Sequence, residues 1–440
     1  MANDFRHQFT VTPQVMRVSP EEKKIVIHAR QGHGVKLLDQ VDNFHLIAQY
    51  QPRRGEDRQW LNNLPCLRME RQVNGDLWLF AELPQEGEYV IYLTRGREGA
   101  PRSEVMTFSV YALEEDLFKL RPWKGDLHIH TTESDGKETP GFTMATARRN
   151  GCDFIAITDH YQYAPSLAAI EAARECNCDM LVIPGEEVHL PDNATHIVNF
   201  GGNWSVNDLA HQDLEKFRRE VDEYGKALPA DVHPINRFQV GATEWAFDHI
   251  REAGGVCIFS HPYWRAQYRN HIDEVVINYL LEHQKFDAME VFGGFTLAGV
   301  ESNMLSLARW QSESAQKGKM IPVVGVSDGH GCDTHVVNWY YTVIFAEKLE
   351  FASLADAIRN NRSVAFYAVP GQYPIIAGDF RLTKFSYFLH REFYPRHNEI
   401  CHLEGTIMRS YYSEGAINAP EVIKALSGSV AEFMDSFWEK

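Results

Sequence analysis

The chain changes its hydrophobic pattern near residue 120. Before that point, short stretches alternate apolar and polar positions between turns rich in glycine, proline and charge, as in KKIVIHA, DLWLFAEL, EYVIYLTR and VMTFSVYAL. A period of two is typical of antiparallel strands that bury one face. Residues 1–120 are therefore predicted to form a small all-β accessory domain, an immunoglobulin-like sandwich.

From Lys124 onward, apolar strands alternate with helical segments, which predicts parallel β/α units. The predicted strands are GDLHIH, DFIAITDH, DMLVIPGEEV, THIVNFGG, GVCIFSHP, AMEVFGG and MIPVVGVSDGH. Seven such units predict an α/β fold, a distorted seven-stranded TIM-like barrel over residues 121–380. Residues 381–440 are predicted to form a helical extension that packs on the barrel or on a partner subunit, because EVIKALSGSVAEFMDSFWEK has apolar residues at helical spacing.

The bulk composition excludes several function classes. A formal net charge of −17 argues against a sequence-independent hold on nucleic acid. No apolar run approaches the roughly 18 residues of a membrane span, and MANDFRHQFT lacks the apolar stretch of a secretory signal. Seven scattered cysteines, an odd number, indicate reduced thiols. We therefore expect a cytoplasmic protein with a small-molecule substrate, no nucleic-acid or membrane partner, and a possible homo-oligomeric state.

Histidines and acids gather where the predicted strands end. In GDLHIH, His128 and His130 share one face because side chains alternate along a strand. The other such residues are Asp159, His160, Glu186, Glu187, His196, His261, Glu290, Asp328 and His330. The active sites of β/α barrels lie at these strand ends, and chance placement would not favour them over helix surfaces. The pattern therefore predicts a metal centre.

The donor types indicate which metals the centre would bind. Histidine and carboxylate without cysteine suit Zn, Mn or Fe in a catalytic site. The donors exceed one tetrahedral shell, which predicts two or three divalent ions. Water that bridges two such ions can ionise near neutral pH and attack phosphorus or a carbonyl carbon, so the sequence indicates a metal-dependent hydrolase.

The order of the motifs HxH, SDG, TDH, GxE, SHP and SDxH resembles the polymerase-and-histidinol-phosphatase (PHP) superfamily over residues 124–370. The segments GDLHIHTTESDG, DFIAITDH, IPGEEV and HIVNFG are similar to its carbaryl-hydrolase-like branch. The resemblance implies a distorted seven-stranded β/α barrel that holds two or three metals.

The resemblance also implies a ligand set. One metal would be held by His128, His130, Glu187 and Asp328, a second by Glu187 as a bridge with His196 and His261, and the third by Asp135, His160 and His330. Counted from Gly185, the acid of GxE is Glu187 and not Glu186.

Three functions remain open at this stage. The preferred one is hydrolysis of a small phosphate ester, with Glu187, Asp159 and Arg265 as catalytic residues. Arg265 could clamp the phosphate, and Asp159 could orient a ligand, relay a proton or merely cap a turn; Glu290 has the same status. The second function is hydrolysis of a carbamate, ester or amide, with Tyr263, Trp264 and Tyr268 lining an aryl pocket. The third is a non-catalytic metal-binding module.

Overall fold

The computed structural model of the protein describes residues 8–30, 33–48, 68–96, 103–230, 232–266, 269–294, 299–332 and 337–440. The chain divides into two compact units. The first comprises residues 1–120, 384–397 and 428–440, and the second comprises residues 121–383 and 398–427. The predicted extension 381–440 is thus shared between the units, and the C-terminal helical stretch is interrupted at Gly428, whose φ is +85°.

The first unit contains two four-stranded sheets, in the orders β1-β3-β6-β5 and β2-β8-β7-β4. Its strands are β1 (Phe9–Thr12), β2 (Val15–Arg17), β3 (Ser19–Ala29), β4 (Asn43–Ala48), β5 (Arg68–Arg71), β6 (Leu77–Leu83), β7 (Gly87–Arg95) and β8 (Ser103–Leu113). Both sheets contribute to one hydrophobic cluster, which includes Ile25, Leu79, Leu46 and Ile91. The alternating pattern is therefore explained by burial of one face, whereas an immunoglobulin-like topology is not confirmed.

The second unit has a mixed α/β fold. Its strands are β9 (Arg121–Asp126), β10 (Phe154–Ala156), β11 (Leu181–Ile183), β12 (Gly185–His189), β13 (His196–Phe200), β14 (Val256–Phe259), β15 (Arg265–Ala266), β16 (Arg269–Asn270), β17 (Ala288–Phe292), β18 (Val323–Gly325), β19 (Tyr340–Ala346), β20 (Ser363–Tyr367) and β21 (Ile375–Gly378). One sheet has the order β11-β10-β9-β19-β20-β21, another has the order β12-β13-β14-β17-β18, and β15 and β16 form a separate hairpin.

The helices lie between and after these strands. They are α1 (His33–Leu38), α2 (Glu115–Phe118), α3 (Pro140–Arg149), α4 (Ala164–Glu175), α5 (Val206–Gln212), α6 (Leu214–Ala227), α7 (Pro234–Glu252), α8 (Glu274–His283), α9 (Val300–Lys317), α10 (Phe351–Arg359), α11 (Phe380–Glu392), α12 (Tyr394–Glu414), α13 (Ala419–Leu426) and α14 (Ser429–Phe437). Among the described residues, none of these helices has the length and apolar character to cross a bilayer.

The sheet pairing departs from the expected run of parallel β/α units. Strand β12 pairs antiparallel with β13, and β13 pairs antiparallel with β14. The reason is length: only residues 190–195 connect β12 to β13, whereas a parallel crossover needs a dozen or more residues. Apart from the β15–β16 hairpin, the strands of this unit lie in two sheets, and a single closed seven-stranded barrel is not confirmed.

The two large sheets of the second unit nevertheless share one apolar cluster. The cluster draws Phe154 from β10, Val198 from β13, Ile258 from β14 and Ile344 from β19. Apolar side chains from both sheets thus pack together in the centre of this unit. At the carboxyl ends of β9, β14 and β18, and along β12, the chain changes from apolar residues to histidines and acids. The packing of the sheets therefore places these polar groups next to one another.

Candidate metal centre

Glu187 lies on β12 with its side chain buried, and six imidazoles surround its carboxylate. Oε2 lies 2.7 Å from His160 Nδ1, 3.3 Å from His128 Nε2, 3.3 Å from His189 Nε2 and 3.6 Å from His130 Nε2, and Oε1 lies 3.0 Å from His196 Nδ1 and 3.2 Å from His261 Nε2. A carboxylate offers about four acceptor positions. More donors therefore converge here than hydrogen bonding alone can use.

Several atoms of this cluster make no hydrogen bond to any described residue although they are buried. They are His128 Nε2, His130 Nδ1, Glu187 Oε2, His196 Nδ1 and His261 Nδ1. Buried polar groups in native proteins nearly always have partners, so a concentration of orphaned atoms needs an explanation. Imidazole nitrogens and carboxylate oxygens without thiolates are suitable donors for borderline divalent cations. The residues present thus fit the divalent ions that the sequence predicted.

Because side chains alternate between the two faces of β12, the adjacent Glu186 and Glu187 point in opposite directions. Glu187 points toward the imidazoles, whereas Glu186 accepts hydrogen bonds from Asn199, Ser205, Asn207 and the Val206 backbone. These bonds measure 2.6–3.0 Å and occupy both oxygens of Glu186. The structure therefore brings the GxE acid that the sequence favoured, and not its neighbour, into the cluster.

Asp328 is the second carboxylate of the cluster. Its Oδ1 lies 3.0 Å from His130 Nε2 and 3.4 Å from His128 Nε2. Its backbone has a φ of +49°, a region that non-glycine residues rarely adopt and that is common at functional sites. The Asp328 N–H donates to the His128 carbonyl at 2.9 Å, which fixes the loop after β18 against the loop after β9.

Asp135 marks the exposed edge of the cluster. Its Oδ2 lies 3.3 Å from His330 Nε2 and 3.5 Å from His160 Nε2, and its side chain is 56% exposed. Ligand atoms of these three residues and of His130 lie within 4.8 Å of one another. The structure thus brings together the third predicted grouping at the solvent side.

Glu290, on β17, forms hydrogen bonds with two of the histidines of the cluster. Its Oε1 lies 2.8 Å from His128 Nδ1, and its Oε2 accepts the His261 backbone N–H at 2.9 Å. A carboxylate at one nitrogen of an imidazole fixes which nitrogen carries the proton. Because Nδ1 donates to Glu290, the lone pair of the neutral form of His128 lies on Nε2, which faces the cluster.

Asp159 has a different environment from the ligand candidates. Its Oδ1 accepts the Thr131 N–H at 2.7 Å and the Ser134 hydroxyl at 2.6 Å, and its Oδ2 accepts the Thr131 hydroxyl at 2.7 Å. These contacts favour the capping alternative, in which Asp159 fixes the loop that carries Asp135.

Arg265 lies on the β15–β16 hairpin. Its Nη1 lies 2.8 Å from Glu301 Oε2, and its side chain is 42% exposed. Its described contacts include no residue of the cluster. The neighbouring Trp264 does approach the cluster, with its ring 5.7 Å from that of His261 and 6.0 Å from that of His196. Tyr263 is buried, and Tyr268 lies outside the described residues.

The charges of the cluster perturb the pKa values of its members. Burial alone would lower the pKa of His128, but the carboxylates of Glu187, Glu290 and Asp328 raise it well above its ordinary value. Burial would raise the pKa of Glu187, but His128, His196 and His189 lower it. Burial, with smaller contributions from His189 and His261, lowers the pKa of His196 to about 3. An ionised Glu187 beside a neutral His196 is the state that metal ligation requires, whereas a metal ion would have to displace the proton that the three carboxylates favour on His128.

The sequence reasoning did not identify His189. It lies two residues after Glu187 on the same face of β12, and its Cα pairs with that of His196 on β13. Its Nε2 is 2.7 Å from His160 Nδ1. The period of two that grouped His128 with His130 applies equally to Glu187 and His189, so this signal could have found it.

No family model matches the chain, and no curated protein matches it. Among solved structures, the chain is similar to a two-domain protein from Bacteroides vulgatus that contains a predicted PHP-like metal-dependent phosphoesterase. The sequence identity is 17% and the TM-score is 0.44, and the similarity covers 62% of this chain and 71% of that chain. It is also similar to a proposed metal-dependent phosphoesterase from Bifidobacterium adolescentis, with 20% identity, 47% and 87% covered, and a TM-score of 0.33.

A third similar structure is an amidohydrolase from Chromobacterium violaceum with bound sulfate and no metal, with 19% identity, 47% of this chain and 87% of that chain covered, and a TM-score of 0.32. At these identities and TM-scores, the function has to be argued from the residues of the site.

Proposed function

We propose that the protein is a metal-dependent hydrolase that cleaves a small phosphate ester. The observation that carries this proposal is the convergence of six imidazoles on the buried Glu187 carboxylate, with orphaned nitrogens among them. A structural histidine cluster would satisfy its own hydrogen bonds. A set of donors without partners is instead suited to bind cations.

The proposed ligands fall into three groupings. His128, His130, Glu187 and Asp328 would hold one ion, Glu187 would share a second with His196 and His261, and Asp135, His160 and His330 would hold a third. Divalent ions in such a centre activate water for attack and stabilise the negative charge that develops on the substrate.

Two acids outside the proposed ligand set, Glu290 and Asp159, hold the ligands and their loops in position. Glu290 keeps the Nε2 lone pair of His128 directed at the cluster and fixes the backbone at His261. Asp159 fixes Thr131 and Ser134, and thus the loop that presents Asp135. Donors held in place before the substrate binds need little reorganisation during the reaction.

The charge of the ligand set favours an anionic substrate. Six of the nine proposed ligands are imidazoles, and the other three, Asp135, Glu187 and Asp328, are carboxylates. Three carboxylates cannot neutralise two or three divalent ions, so the loaded ligand set would attract a phosphate group. The charge of the loaded site therefore favours a phosphate ester over a neutral ester.

Two observations favour the second candidate, hydrolysis of a carbamate, ester or amide. Arg265, the cation expected to clamp a phosphate, pairs with Glu301. The rings of Trp264 and Tyr161 also approach the cluster, and Tyr161 is 51% exposed with a φ of +58°. Aromatic rings that are exposed, as Tyr161 is, or only half-buried, as Trp264 is, suit an aryl substituent beside a reactive centre.

A substrate panel with matched variants tests the proposal. Protein loaded with Mn or Zn is assayed on aryl phosphate monoesters and on aryl carbamates. An exposed ion pair such as Arg265–Glu301 is weak, and Arg265 can leave it for a phosphate. We therefore expect Arg265→Ala to lower kcat/KM for phosphate esters by about 10²-fold. Arg269→Ala, on the same hairpin, serves as the control. Carbamate hydrolysis that is faster than any phosphate ester hydrolysis, and unaffected by Arg265→Ala, would promote the second candidate.

A further inference from the structure

His189 is held by the sheet in a fixed position beside the cluster. Its backbone N–H donates to Asn207 Oδ1 at 2.9 Å, and its carbonyl lies 3.0 Å from His211 Nε2. Across the β12–β13 ladder its Cα pairs with that of His196, and the two rings lie 3.7 Å apart. The strand register keeps the His189 side chain on the face of β12 that carries Glu187.

The side chain of Asn207 fixes the same segment a second time. Its Nδ2 donates to the Glu187 carbonyl at 2.9 Å and to Glu186 Oε2 at 3.0 Å. The hydrogen bonds of Glu186 on one face of β12 thus hold the strand that presents Glu187 and His189 on the other face. The backbone that carries His189 is therefore held by the same hydrogen bonds as the backbone that carries Glu187.

The close contacts around the His189 ring are more than hydrogen bonding alone can satisfy. His189 Nε2 lies 2.7 Å from His160 Nδ1 and 3.3 Å from Glu187 Oε2, while His160 Nδ1 lies 2.7 Å from the same Glu187 oxygen. An imidazole nitrogen carries either one proton or one lone pair, so His160 Nδ1 can serve one of its two close neighbours. One cation among the three atoms would satisfy all of them, because each can offer a lone pair.

Resting on the metal-dependent function proposed above, we propose that His189 is a further metal ligand, which binds a divalent cation together with His160 and Glu187. Ligand atoms of these three residues lie within 4.8 Å of one another. The nitrogen-rich donor set fits a borderline ion such as zinc, manganese or iron. His189 is thus a tenth donor beside the nine expected from the sequence. Because a neutral imidazole has one lone pair, His160 would bind this ion through Nδ1 instead of the ion held by Asp135 and His330.

The test compares metal binding of the wild-type protein with that of His189→Phe and His189→Asp. The phenylalanine ring keeps the packing against His196 and removes both nitrogens, whereas the aspartate restores a donor. His211→Ala is the matched control, because His211 contacts only the backbone carbonyl of His189 among the cluster residues. Zinc and manganese stoichiometries are measured by elemental analysis, and affinities by competition with a chelator.

We expect His189→Phe to lose one ion or to bind one ion at least about 10-fold more weakly, the minimum seen for residues that support metal ligands. We expect His189→Asp to recover part of this loss and His211→Ala to match the wild type. Unchanged stoichiometry and affinity in a folded His189→Phe variant would overturn the role of His189 alone. A wild-type chain that binds no ions would overturn the proposed function as well.

A second measurement needs no variant. In crystals of the zinc-loaded wild-type protein, an anomalous-difference peak about 2.0–2.1 Å from His189 Nε2 would establish ligation. Peaks only at the other ligands, with His189 Nε2 beyond about 3 Å from every ion, would contradict it.

Discussion

Glu186 and Glu187 are adjacent, buried and equally charged, yet they have opposite environments. Four donors occupy the oxygens of Glu186, whereas Oε2 of Glu187 is close to four imidazoles without a hydrogen bond. Burial raises the pKa of Glu186 even though its hydrogen bonds oppose this, whereas the surrounding histidines lower the pKa of Glu187. The comparison teaches that buried oxygens without a hydrogen bond, and not burial or charge alone, distinguish the proposed metal ligand Glu187 from the structural acid Glu186.

The largest effect is expected from exchanging each glutamate for glutamine. Glu187→Gln should reduce activity below about 1% of wild type, since an amide is a poor ligand for two cations and even supporting residues change activity 10–100-fold. Glu186→Gln should keep its metals and most of its activity while losing about 1–3 kcal/mol of stability, because the amide nitrogen cannot accept a hydrogen bond. Kinetics, metal content and chemical unfolding measure all three quantities. If Glu186→Gln were instead the inactive variant, the assignment of the GxE acid would be shifted by one residue.

Glu290 extends the comparison because it is a buried acid that contacts His128, one of the proposed ligands. Glu290→Gln should lower metal affinity or kcat/KM by about 10–100-fold, because His128 loses the carboxylate that sets its protonated nitrogen. Chelator competition and steady-state kinetics measure the change, and Glu186→Gln serves as the control. An effect of less than about threefold would mean that His128 is oriented by its packing alone.

Asp126 is a buried acid that accepts hydrogen bonds, as Glu186 does, and that lies two residues before His128. Its Oδ1 accepts the backbone N–H groups of His128 and Ser327, and burial raises its pKa from 3.8 to about 6. A carboxyl whose pKa is higher in the folded state than in the unfolded state stabilises the fold at a pH below its unfolded-state pKa. This stabilisation is lost as the pH rises through the folded-state pKa. In metal-free protein, the stability of Asp126→Asn relative to wild type should therefore increase between pH 4 and pH 7, by up to about 3 kcal/mol. Urea unfolding at the two pH values measures this, and a difference that does not change with pH would contradict it.

The smallest effect is expected at Asp159. Asp159→Asn should weaken its bonds to Thr131 and Ser134 and lower stability by about 1–3 kcal/mol, while the pH dependence of kcat/KM keeps its shape. The pH–rate profile and thermal unfolding test this. Loss of one limb of the profile would instead support the proton relay considered from the sequence.

Much of the site could be predicted from the sequence because strand alternation and strand ends are local properties. The spacing of His128 and His130 predicted that their side chains share one side of the chain. Both residues lie just after β9 and not within it, and the structure still brings both to Glu187 and Asp328. His189 follows the same alternation rule, two residues after Glu187, but it is not part of the motifs HxH, TDH, GxE, SHP or SDxH. The environment of Arg265 was not predictable, because its partner Glu301 is distant in sequence.

The sheet topology was less predictable for a physical reason. Apolar runs such as THIVNFGG show that a strand is buried, but not the direction of its neighbour. The six-residue connection between β12 and β13 did carry this information, since it is too short for a parallel crossover. This hairpin places His189 beside His196, so the feature that departs from the expected barrel also adds to the candidate ligand set.

The most direct test of the central claim is the metal content of the purified chain, measured by elemental analysis after gentle purification and again after incubation with manganese or zinc. The unsatisfied donors around Glu187 lead us to expect two or three divalent ions per chain in the wild type and fewer in Glu187→Gln, with no change in Glu186→Gln. One ion or none in the wild type, even after metal is added, would contradict the account.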